Sequence, residues 1–114
     1  PVWLATARGP LLAMPYALEL NDSSSIIGRG VSAGEFADMI VDEFDELSAT
    51  QRPLVMSIVL HSFITGVPFR LRAVRRALER VATGDGVWLT TPREIHRAVV
   101  DSPVLFPPVA EVTS

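Results

Sequence analysis

Apolar positions along this chain fall into two patterns: short β-prone runs, and longer stretches with apolar residues at helical spacing. Leu54-Val55-Met56-Ser57-Ile58-Val59-Leu60 is the most continuous apolar run, and it ends on His61. A strand apolar on both sides is buried on both faces, which predicts a central position in a parallel sheet. His61 then falls at the carboxyl edge, where such folds place ligands and catalysis. Pro1–Ala5 is a shorter β-prone run, followed by a turn at Arg8-Gly9-Pro10. Leu11–Met14 resumes as a strand and stops at Pro15, which has no amide to donate. Val87–Thr90 is a further short strand candidate.

Three helices are predicted between these runs. Ser32 and Glu35 have capping-box spacing. Phe36, Met39, Ile40, Phe44 and Leu47 then form one apolar stripe, with an end near Ser48. Asp38, Asp42, Glu43, Asp45 and Glu46 fall mostly on other faces and read as solvated surface. Pro68 suits the first turn of the second helix, whose inward stripe is Leu71, Val74, Leu78 and Val81. Arg70, Arg72, Arg75, Arg76 and Arg80 surround that stripe, solvated or paired with the acidic helix. Arg70 differs: a cation in a first helical turn is mildly unfavourable, which points to a structural or ligand role. Gly84-Asp85-Gly86 ends this helix. Thr91, Pro92 and Glu94 start a third, running to Val100 with Ile95, Val99 and Val100 inside. His96 lies on its flank as an ordinary surface histidine. Residues 102–114 read as an extended proline-containing tail after a domain spanning 1–101.

Strand and helix alternate, which predicts an α/β fold of three β-α units with parallel strands and right-handed crossovers. Three such units close no barrel and leave a sheet edge bare. The pattern therefore suggests a piece of a larger barrel or sheet, or a subunit docked on another chain, with oligomers expected. The 114 residues suffice for one small core, and 48% hydrophobic with 20% charged residues is a globular balance. A net charge of −3 gives no electrostatic reason to expect nucleic acid. No apolar run reaches the ~20 residues a membrane-spanning helix needs. Without cysteine there is no disulfide or thiolate metal site, and the cytoplasm is the default compartment. The abrupt start, Pro-Val-Trp-Leu, reads like the middle of a longer protein.

The catalytic inventory is thin. His61 suits general acid or base work, with a strand-end structural role as the competing reading. Tyr16, Glu19, Asn21 and Asp22 cluster in a loop, yet Asn-Asp-Ser-Ser-Ser is also good turn chemistry, and on composition alone the turn is preferred. There is no nucleophile elbow, glycine-rich phosphate loop or His-x-x-x-His pair.

Four stretches carry a resemblance: residues 15–22, Ser57-Ile58-Val59-Leu60-His61, Gly66-Val67-Pro68-Phe69-Arg70 and Asp85-Gly86-Val87-Trp88. In order and spacing they resemble the C-terminal part of polysaccharide deacetylase (NodB-homology) proteins, nearest the allantoinase-like, metal-independent branch. The resemblance covers residues 1 to about 100. It implies part of a distorted (β/α) barrel that hydrolyses amide C–N bonds in N-acetylated sugars or small cyclic ureides. It implies that His61 is the general acid toward the leaving nitrogen. Glu19, Asn21 and Asp22 would line the substrate side, Trp3 would be the aromatic after the family's fourth motif, and Arg70 would position substrate. The family's Asp-Asp, paired-histidine and Arg-x-Pro-Tyr motifs are absent here and would lie upstream of Pro1. Ser62 stands where the allantoinase-like branch is expected to have proline.

No metal or cofactor site is expected in this segment, and metal use by a complete protein stays open. The expected partner is an N-terminal barrel portion, in cis or in trans, together with a sugar or small-molecule amide. A general acid without its base cannot hydrolyse an amide, so the chain alone is expected to be inactive. The readings rank as part of a hydrolase, then a non-catalytic interaction or regulatory remnant, then an unrelated α/β domain. An Asp-Asp pair upstream of Pro1 would favour the first.

Overall fold

The computed structural model describes residues 1–102. The tail expected over 102–114 lies outside the described residues from position 103 onward. The chain divides into two compact units, one of residues 1–15 with the segment from Trp88, the other Tyr16–Val87.

In the first unit β1 (Val2–Thr6) and β2 (Gly9–Ala13) form an antiparallel hairpin, with Val2 opposite Ala13 and Leu4 opposite Leu11. This corrects the expectation of parallel strands: so short a connection joins only antiparallel neighbours. The Thr6 hydroxyl closes the turn, donating to the Gly9 carbonyl at 2.6 Å and accepting from the Arg8 amide at 3.2 Å. Gly9 sits at φ 109°, which a side chain would resist. The last helix, α3 (Pro92–Val100), begins with the expected capping box of Thr91 and Glu94. Val99 is buried, His96 is exposed, and Val100, expected inside, is half exposed. Val87–Thr90 forms no strand.

The second unit holds the larger core. Its two helices are α1 (Ala33–Ala49), capped by Ser32 and Glu35 as expected, and α2 (Pro68–Ala82), opened by proline. They pack together around Phe36, Ala37, Ile40, Val74 and Ala77, joined by Leu20, Ile26 and Ile64. Phe36, Ile40 and Val74 are completely buried, the outcome that the two apolar stripes dictate. Arg80 reaches Asp45 at 2.7 Å and lies over the Phe44 ring, one of the helix-to-helix pairs the charge pattern suggested.

The 54–60 segment departs from expectation. It is extended yet half-buried rather than central, with Leu54 at 44% and Leu60 at 39% exposure. Its pairing is a single parallel bridge, Asn21 to Val59, made by Val59 N–H to Leu20 O (2.9 Å) and Asp22 N–H to Val59 O (3.1 Å). A strand exists only through sustained pairing with a neighbour, and the described residues offer this run one bridge. The direction of that bridge is the parallel one expected. Ser23–Gly28, read as a loop, winds into one π-helical turn that buries Ser25 and Ile26. The described residues are thus mixed α/β, with a two-stranded sheet and helices.

Candidate active site

The parallel bridge sets two chain ends side by side. Asp22 follows Asn21 on one, and His61 follows Val59 by two residues on the other. The Asp22 side chain is fully buried. Its Oδ1 lies 2.6 Å from His61 Nδ1. Its Oδ2 accepts the His61 amide at 2.8 Å and the Thr65 hydroxyl at 2.6 Å. The Thr65 and Ile64 amides in turn donate to the His61 carbonyl, at 2.9 and 3.0 Å, so a helical turn starts at His61. Gly66 follows directly. A side-chain carbon there would overlap the Ser62 carbonyl oxygen, so the turn closes only on glycine.

Burial acts on Asp22 to raise its pKa. The His61 amide, the Thr65 hydroxyl, the His61 ring bond and the charge of His61 outweigh it and hold the carboxyl below its ordinary value. An anionic Asp22 accepts, so Nδ1 carries the hydrogen of the shared bond and Nε2 is left for outside chemistry. That nitrogen has no hydrogen-bond partner among the described residues, and the ring side chain keeps 36% of its surface exposed. Phe63 packs edge-on against the ring, centroids 5.5 Å apart. A carboxylate that fixes tautomer and ring plane behind a half-open imidazole suits proton transfer at Nε2.

The other expected site residues are placed differently. Asn21 and Asp22 were expected to line the substrate side, but their side chains are buried. Asn21 Oδ1 accepts the Ser23 amide at 3.0 Å and shapes the turn. Glu19 is exposed, and its carbonyl, not its carboxylate, accepts from Ser25 and Arg29. Arg70 donates to the Ile64 carbonyl at 3.2 Å and stacks over Phe69, tying the His61 turn to the start of α2. Trp3 lies on β1 opposite Leu12, in the other unit.

Sequence reasoning missed Thr65, although it stands four residues after His61, where one helical turn brings side chains together. It also missed Ser57, the polar interruption of the apolar run, whose hydroxyl accepts the Ala17 amide at 2.9 Å. Among the described residues no three His, Cys, Asp or Glu side chains gather as a metal-ligand set. No described helix is long and apolar enough to cross a membrane.

No protein-family model matches the chain, and no solved structure matches it. Over 92 residues it is 34% identical to a Schizosaccharomyces pombe protein named "Putative polysaccharide deacetylase". The match takes in 77% of this chain, which spans 29% of that relative's length. This similarity supports the polysaccharide deacetylase family as the one to which the chain is related.

Proposed function

We propose that this chain is the C-terminal part of a polysaccharide-deacetylase-like hydrolase, nearest the allantoinase-like branch, that cleaves amide C–N bonds. The Asp22–His61 pair is the observation that carries the reading: a buried carboxylate 2.6 Å from the Nδ1 of a half-exposed imidazole. His61 in its protonated form donates the Nε2 proton to the leaving nitrogen as the tetrahedral intermediate collapses. Asp22 stays anionic and stabilises the imidazolium without taking its proton, the division of labour of a base-orienting carboxylate. The water nucleophile is activated by a carboxylate from the upstream portion, which the family resemblance supplies as an Asp-Asp motif. The Asn21–Val59 bridge supports a larger parallel sheet, with further strands of a distorted barrel on the free edges. Glu19, exposed beside this strand end, and Arg70 are the substrate-facing candidates, with Trp3 assigned there by the resemblance alone. Substrates are N-acetylated sugars or small cyclic ureides.

The test is amide hydrolysis by the full-length protein, with its upstream portion, before and after His61→Gln. Turnover is expected to fall roughly 10²–10⁴-fold, the range for a lost general acid. Unchanged turnover in the variant would remove His61 from the mechanism. An inactive wild-type protein with the fold intact would favour a non-catalytic remnant.

A further inference from the structure

Thr65 sits beneath the site with 3% of its surface exposed, and its hydroxyl is spent on one bond, 2.6 Å to Asp22 Oδ2. A buried hydroxyl that donates to a buried carboxylate makes a charge-assisted bond, stronger than one between neutral groups. The carboxylate has two oxygens with different duties. Oδ1 faces the imidazole, and Oδ2 is held by Thr65 on one side and by the His61 amide on the other. Rotating the carboxylate to free the ring breaks both Oδ2 bonds at once. The Thr65 amide donates to the His61 carbonyl, so the same residue braces the backbone that carries the ring.

We propose that Thr65 is a positioning residue for proton transfer at His61, acting through Asp22 by locking the plane of its carboxylate. This rests on the hydrolase reading above. Thr65 touches no substrate in that reading, so its loss lowers kcat and leaves KM unchanged. Valine keeps the shape and removes the hydroxyl, and serine keeps the hydroxyl.

The experiment compares Thr65→Val and Thr65→Ser in the full-length protein by hydrolysis and by proton NMR of the His61 Nδ1–H, assigned by its disappearance in His61→Gln. Thr65→Val is expected to lower kcat on the order of tenfold, the scale of one hydrogen bond to a charged group. It should also broaden or shift the Nδ1 proton signal, and Thr65→Ser should restore both. In an Asp22→Asn background Thr65→Val should cost little more, because the two act as one unit. An unmoved signal in Thr65→Val, or full additivity with Asp22→Asn, overturns the proposal. If Thr65→Val does not fold, Thr65→Ser decides, since native signal and kcat are required of it. If the wild-type protein hydrolyses no amide, the functional reading fails, whereas the Nδ1 signal still decides the role of Thr65.

Discussion

Asp22 holds its proton less tightly in the folded chain than in the unfolded one, because three donors and the charge of His61 outweigh burial. Its stabilising contribution is therefore fully present above the ordinary value of 3.8 and drains away as pH falls through the lower folded value. Asp22→Asn should lower stability at neutral pH and flatten its decline below about pH 4. Glu35 and Glu94, held low by their helix caps, persist in the variant and leave a residual acid dependence. Denaturant midpoints at neutral and acid pH check this, and parallel curves for the two proteins would contradict it. His61 could be singled out because it ends an apolar run. Its carboxylate partner could not be paired with it, since Asp22 lies 39 residues before His61 and 43 before Thr65. A short-range reading sees Asn-Asp-Ser-Ser-Ser as a turn, and so it is, but one that also hides a buried carboxylate.

At the scale of elements, the helices and the places of β1 and β2 were readable, and the pairing of strands was not. A helix satisfies its backbone within itself, so the Ser32–Glu35 and Thr91–Glu94 boxes and the apolar stripes announce it locally. A strand depends on neighbours. The 54–60 run carries strand chemistry yet pairs at one bridge, and the turn at Arg8 makes a hairpin where crossovers were expected. Two glycines show how tightly the second unit closes. At Gly84 a Cβ would collide with the Phe44 ring, which has 7% exposure and Arg80 above it. Gly84→Ala should cost about 1–3 kcal/mol, as overpacking usually does, and leave the His61 turn intact. At Gly66 the obstacle is the Ser62 backbone, which cannot swing aside as a ring can. Gly66→Ala should therefore destabilise more and disturb the His61 Nδ1 proton signal, which Gly84→Ala should not. Thermal melts with that signal recorded for both variants separate the two effects.

At the scale of the whole molecule, the second unit exposes large apolar side chains, among them Leu18 at 70%, Phe63 at 75% and Phe69 at 72%. Exposed apolar surface and unpaired strand edges drive association. The matched relative is more than three times as long as the stretch this chain spans, since 29% of it is covered. In the proposed hydrolase the remaining polypeptide adds strands beside Leu20–Asp22 and 54–60 and covers these side chains. The 114-residue chain by itself should then self-associate as concentration rises, whereas the full-length protein should stay monodisperse and bind less of a hydrophobic dye. Sedimentation velocity over a concentration series checks both. A chain that remains monomeric, with a sharp thermal transition and no dye binding, would show that its edges need no partner. Adding the upstream polypeptide in trans should suppress association and protect the Val59 and His61 amides from exchange together, because the strands that cover the apolar rim would also stiffen the pairing that holds the imidazole in place.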